Sequence, residues 1–314
     1  MKTILHHSSL LISLCTCILL SSCFTGVEST PRISDKDVEN AIIELDRRQP
    51  PMSLEIFRDS VPAWQFGKKF YVTDNNIRHI FVKTIETDCD TTNLNGQLLE
   101  YTGYASTIGI DNRKTIDIKF KDDNGHQYTY RTGKEMSEFT SAYSIPLLVD
   151  MDMVKNMSKQ LKDKEVYIKT PIWYDDNSEH MITGKQYIKV KIIDVCPGNK
   201  ILPFKIIFRT KETDQKAFVW MASALQHMTN RDYDSLFSSK DIHENYPSIS
   251  NECWKLIING EVCEEMTKDE CRLAKGAPKS INRMPDQAVI REYWYYDAGA
   301  YLYFVDGLLK KYRN

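Results

Sequence analysis

Few residues in this chain are of a type and spacing that could do chemistry. Beyond the signal-like start the histidines are His79, His126, His180, His227 and His243. None forms a paired-histidine helix motif, and the chain has no Cys-x-x-Cys, so zinc-type ligand spacing is absent. Glu179-His180 follows Asp175 and Asp176 in a polar stretch. Such a cluster suits either a loose metal site or a solvated loop. Asp122-Asp123-Asn124-Gly125 begins like a calcium loop but lacks the later glutamate, and reads as a hairpin turn. A Cys–His nucleophile pair assembled in space would leave no local signature. The chain has no glycine-rich phosphate cradle and no nucleophile elbow. The reading is therefore a non-enzyme, with no catalytic residue, metal ligand or cofactor assigned.

One cysteine carries a different chemistry. The chain starts Met1-Lys2-Thr3, continues as an apolar run, and reaches Leu20-Ser21-Ser22-Cys23. A basic start, a short apolar segment and small residues before a cysteine fit a cleaved secretory signal over residues 1–22. The tetrapeptide resembles a bacterial lipobox. The resemblance implies cleavage before Cys23 and acylation of that residue on sulfur and nitrogen. Three acyl chains, unlike one, hold a protein stably on a bilayer. Phe24 is not the aspartate of inner-membrane retention. Thr25-Gly26-Val27-Glu28 is not the acidic export signal of the Bacteroidetes kind. Both point to the periplasmic face of the outer membrane.

Five cysteines then remain: Cys89, Cys196, Cys253, Cys263 and Cys271. An odd number leaves at least one unpaired within a monomer. The last three lie close in sequence, either as a source of one disulfide or as buried small hydrophobes. Hydrophobic content of 42% and charged content of 27% describe an ordinary globular chain. A formal net charge of −2 argues against a nucleic-acid partner, which would want a basic face.

The elements that position these residues are mostly strands. Residues 23–60 read as a tether with one amphipathic helix over 34–48, capped by Ser34 and stopped by Pro50-Pro51. Strand runs follow at 67–72, 96–101, 115–120 and 126–131, the last two joined at Asn124-Gly125. A second set reads at 164–168, 184–188, 204–208 and 216–221. Leu147-Leu148 and Met151 to Leu161 read as helical and connect the sets. Ile116, Ile118 and Phe120 align with Phe204, Ile206 and Phe208 at the offset that relates Gly96 to Gly184. The match suggests either duplication or chance agreement of two β-rich segments. Residues 61–140 and 141–228 are thus a first and a second β module. Their short strands and long first loop resemble small SH3-like barrels. Tyr233, Leu236, Phe237 and Tyr246-Pro247 are expected anchors in the polar stretch that follows.

Residues 229–314 form the last module. Ser250 caps a helix carrying Trp254, Ile257 and Ile258, which Gly260 stops. Thr267-Lys268-Asp269-Glu270 is a capping box, with Met266 and Cys271 at staple positions. Gly276 and Pro278 end this second helix. After a loop come strand runs at 289–296, 300–305 and 308–312, the last two joined by Asp306-Gly307. Trp294, Tyr296, Leu302 and Phe304 should face the helices. Alternation puts Tyr293, Tyr295, Tyr301 and Tyr303 on the outer face, either as an adhesive surface or packed under a neighbouring domain.

The string Ile258-Asn259-Gly260-Glu261-Val262, Met266-Thr267-Lys268-Asp269-Glu270 and Gly276-Ala277-Pro278, with Glu292 to Tyr296 and Tyr301 to Gly307, resembles the SmpA/OmlA module. That module is known from a small lipoprotein of outer-membrane β-barrel assembly. Glu265 stands where the family has glycine, so the turn into the second helix is expected to differ. The resemblance covers about a fifth of the chain. It implies a two-layer ααβββ module that binds proteins.

The expected fold class is α+β, mostly antiparallel β: one or two small SH3-like barrels, then the ααβββ module. The first functional expectation is an outer-membrane lipoprotein, anchored by Cys23, that scaffolds envelope proteins. The alternative is a peptidoglycan-binding lipoprotein acting through the SH3-like region. A third is an envelope hydrolase.

Overall fold

The computed structural model describes residues 54, 58–83, 93–109, 112–223, 231–285 and 289–314. The signal segment, Cys23, the helix expected over 34–48, Cys89 and His227 lie outside the described residues. The protein is α+β with mostly antiparallel strands.

The first sheet holds β1 (Lys69–Val72), β2 (Leu98–Ile108), β3 (Lys114–Lys121), β4 (Gln127–Arg131) and β5 (Leu148–Asp150). Its order is β4-β3-β2-β1-β5. Alternation buries Ile116, Ile118 and Phe120 of β3 with Phe70, Leu99 and Tyr128. The β3–β4 turn forms as expected, but only Gly125 takes positive φ (89°), so it is not a two-residue turn. The Asp122 carboxylate accepts the amides of Asn124 and His126 and holds the turn shut.

Leu147 and Leu148 are not helical. Leu147 sits at φ 64° and Leu148 opens β5, because β1 offers an unpaired edge there. Helix α1 (Met151–Leu161) begins where β5 ends, and the Asp150 side chain caps it by accepting the Asp152 amide. Met153, Val154, Met157 and Leu161 bury one face of α1 in the core of the second sheet.

That sheet is built from β6 (Glu165–Ile168), β7 (Ile172–Asp175), β8 (Met181–Thr183), β9 (Ile188–Pro197), β10 (Phe204–Thr210), β11 (Lys216–Met221) and, after the single turn α2 (Tyr233–Leu236), β12 (Phe237–Ser238). Its order is β12-β6-β9-β10-β11-β7-β8. The run expected at 184–188 is instead a crossing into β9, and the loop before it contains the β7–β8 hairpin. Gly184 packs flat on the Trp173 indole: a Cβ there would lie 2.0 Å from Cδ2. Tyr233, Leu236 and Phe237 are buried anchors as expected.

Five strands of this sheet share the strand order of the first. The string β12-β6-β9-β10-β11 has the connectivity of β5-β1-β2-β3-β4. Phe204, Ile206 and Phe208 occupy in β10 the place of Ile116, Ile118 and Phe120 in β3. Neither sheet closes on itself, so the barrels expected from strand lengths are open sheets.

The tail departs from the expected count. Helices α3 (Asn251–Ile258) and α4 (Lys268–Lys275) precede four strands: β13 (Ser280–Pro285), β14 (Ile290–Tyr295), β15 (Tyr301–Val305) and β16 (Leu308–Arg313), in sequential antiparallel order. The order is ααββββ, because β13, expected as loop, pairs along its whole length with β14. Ser250 caps α3 and the Thr267–Glu270 box caps α4 with both reciprocal bonds. Glu265 adopts φ 70°, so it reproduces the left-handed turn that glycine would make, held by an ion pair to Lys310. Asp306 and Gly307 both take positive φ, as a two-residue hairpin requires.

Candidate functional site

The tail core decides what faces outward. Trp294, Leu302 and Phe304 are buried against Trp254, Ile257, Met266 and Cys271 of the helix layer. Each large side chain buried there contributes about 1.5–3 kcal/mol. Tyr296 packs at the same core and donates its hydroxyl to the Gly276 carbonyl.

Glu292 lies on this inner face, 1% exposed. Its Oε1 receives Lys268 Nζ at 2.7 Å and Arg283 Nε at 2.8 Å, and its Oε2 receives Trp294 Nε1 at 3.2 Å. Burial pushes this carboxyl up, but the bonds from Lys268 and Trp294 and the two cations outweigh it and hold the group below its usual range. A depressed pKa stabilises the fold above the unfolded value, about 4.3, and that contribution is lost as pH falls through the folded value. Glu292→Gln should therefore flatten the acid limb of thermal stability below about pH 4, measured as melting temperature against pH. An unchanged acid limb would refute the assignment.

With these residues turned in, register arranges the outer face as three rows of four. Ser280, Tyr295, Tyr301 and Arg313 form the first. Asn282, Tyr293, Tyr303 and Lys311 form the second. Met284, Arg291, Val305 and Leu308 form the third. These positions carry three cations and no carboxylate. The four tyrosines expected outside are all outside, and their rings touch one another. Tyr293 lies 4.5 Å from Tyr303 and 6.2 Å from Tyr295, the latter stacked at 12°. Tyr295 is 42% exposed. The Arg313 guanidinium lies 5.4 Å from the Tyr301 ring centre and donates to the Gly299 carbonyl. The face presents flat π surface, phenolic hydroxyls and positive charge, a composition suited to non-covalent binding.

The other candidates are consumed by structure. Asp175 accepts the amides of Asn177 and Ser178 and the Ser178 hydroxyl. Glu179 pairs with Lys205 at 2.8 Å and Asp176 with Lys216 at 2.6 Å, which leaves exposed His180 beside carboxylates already neutralised. His126 bonds Asp122, and His243 bonds Asp241 while packing on Trp254. Both aspartates also hold backbone amides of their own turns. Among the described residues no group of three or more His, Cys, Asp or Glu side chains could hold a metal ion.

Cys196, Cys253, Cys263 and Cys271 all carry free thiols. Burial, with Glu270 nearby, pushes Cys253 and Cys271 up to about 12. Cys263 is exposed. Maleimide labelling of native protein read by peptide mass spectrometry should therefore modify Cys263 well before Cys253 or Cys271. Equal rates for the three would contradict this.

Sequence reasoning reached the tyrosine face through strand alternation alone. It missed Glu292, whose spacing from Lys268 and Arg283 is set by the sheet, and it missed the β13 row. The chain matches no protein-family model and no curated protein sequence.

Proposed function

We propose that this protein is a non-enzymatic lipoprotein, anchored in the outer membrane through acylated Cys23 and facing the periplasm, whose tail module docks another envelope protein. The observation that carries the reading is the outer face of β13–β16, with its four contacting tyrosines, three flanking cations and no carboxylate. Tyrosine and arginine are enriched in protein interfaces, where large rigid side chains bury area at low entropic cost. The positive charge favours a partner with an acidic surface. Two helices before an antiparallel sheet, with a capping box and a left-handed residue before Met266-Thr267, support the likeness to SmpA/OmlA modules.

Cross-linking in intact envelopes tests the reading. The wild-type chain should capture one or more envelope proteins, and Tyr293→Thr with Tyr303→Thr should lose them, since threonine keeps strand propensity while removing the rings. Recovery of the chain alone, or capture unaffected by the double substitution, would refute it. Mass spectrometry of the mature N-terminus tests the tether separately, and an unmodified Cys23 would remove it.

A second reading is binding to peptidoglycan. The order β5-β1-β2-β3-β4, a long connection after β1 and a short 3₁₀ turn (Met136–Glu138) before β5 favour SH3-like modules, and the second sheet repeats that order. Co-sedimentation of the full chain with purified sacculi separates the readings. A chain that stays in the supernatant excludes this one.

A further inference from the structure

On the helix side of the tail, away from the tyrosine rows, a cleft of about 350 Å³ opens between the second sheet and the end of α4. Lys169, Arg231 and Lys275 line it, with the hydroxyl residues Thr170 and Ser235. No aspartate or glutamate lines it. Pro171, Ile172 and Leu236 add an apolar wall.

A helix C-terminus would ordinarily repel an anion here, because its last carbonyls are negative. That charge is already occupied. Gln186 Nε2 lies 2.8–2.9 Å from the carbonyls of Ile257, Leu273 and Ala274, and the Tyr187 hydroxyl also donates to Leu273. Arg231 Nε is buried and makes no hydrogen bond. Burial lowers Lys275, and Glu261 offsets only part of that. Lys169 uses one proton on the Asp234 carbonyl at 2.7 Å, within reach of the same opening. Positive charges gathered in a low-dielectric cleft attract a counter-charge.

We propose that this cleft binds a small ligand carrying phosphate or carboxylate groups, with Arg231 and Lys275 as its principal contacts. Guanidinium geometry suits both oxyanions, and the hydroxyls of Thr170 and Ser235 add neutral donors. A cleft of this size admits one small multiply charged anion.

The test uses the full chain in detergent, titrated with inorganic phosphate and with citrate at ionic strength matched by sodium chloride. Saturable binding by calorimetry, with a rise in melting temperature beyond the chloride control, is expected for at least one anion. A response to phosphate alone assigns a phosphorylated ligand, and a response to citrate alone assigns a polycarboxylate. Lys275→Met and Arg231→Met should each weaken binding at least tenfold. Lys275 is the safer variant, because its side chain is half-buried. No binding beyond the chloride control, or binding undiminished in a folded Lys275→Met protein, would overturn the proposal.

Discussion

Lys68→Ala destabilises the protein by about 3–5 kcal/mol, the range for removing one partner of a buried ion pair. The Lys68 side chain is 3% exposed. Its ammonium lies 3.0 Å from Asp150 Oδ1 and 2.7 Å from Asp152 Oδ2. Burial lowers the pKa of Lys68, but the bonds and charges of the two aspartates outweigh this and raise it, so the group stays charged in place. Without it, the Asp150 carboxylate, 7% exposed, loses its ion pair and keeps only the through-space attraction of the Arg58 guanidinium. Asp150 also ends β5 and caps α1, so the damage falls where the first sheet passes into the helix. Urea denaturation measures the loss. Adding Asp150→Asn to the Lys68 variant should recover part of it, because the stranded charge is then gone. A loss below about 1 kcal/mol, typical of a surface pair, would mean that solvent reaches the triad.

Gln186→Leu should cost about 1–3 kcal/mol, since it takes the donor from the buried Ala274 carbonyl, while Ile257 keeps the Gly260 amide and Leu273 the Tyr187 hydroxyl. Gln186 is 4% exposed, and its two amide hydrogens are shared among Ile257, Leu273 and Ala274. Its own backbone amide donates to Ile258 at 3.0 Å. One residue therefore ties the second sheet to both tail helices. Gln186→Glu keeps the shape but offers a carboxylate to three carbonyls, and should be worse than leucine at neutral pH. Hydrogen exchange supplies the local reading: amides of α3 and α4 should lose protection more than those of β2 and β3. Uniform loss across the chain would argue against a junction role.

Local signals were legible in the sequence wherever a short stretch decides its own geometry. The capping residues Ser250, Thr267 and Glu270, the Asp306-Gly307 turn and the period of Met153, Val154, Met157 and Leu161 each carry their cause within a few residues. The tyrosine face followed from alternation in two aromatic strands. The missed elements lack such signals. Ser280–Pro285 is polar and has no alternating apolar pattern, and it becomes a strand because β14 supplies a partner. β7 and β8 are short and flank a polar turn, so they read as loop. Lys68 and Gln186 were unreadable for a different reason. Their partners stand 82 and 84 residues away in one case and 71 to 88 in the other, and only the tertiary fold brings them together.

The tail sheet is bordered by β13 and β16; Glu265 to Thr267 bond the start of β16, and the rest of the two borders pairs with no further strand among the described residues. An open border of this kind invites another chain to extend the ladder, and a tyrosine-rich sheet would then seed fibrils. β16 carries Lys310, Lys311 and Arg313 along its length. Two identical strands brought together edge to edge would set those like charges against each other. The cationic rim thus discourages self-polymerisation.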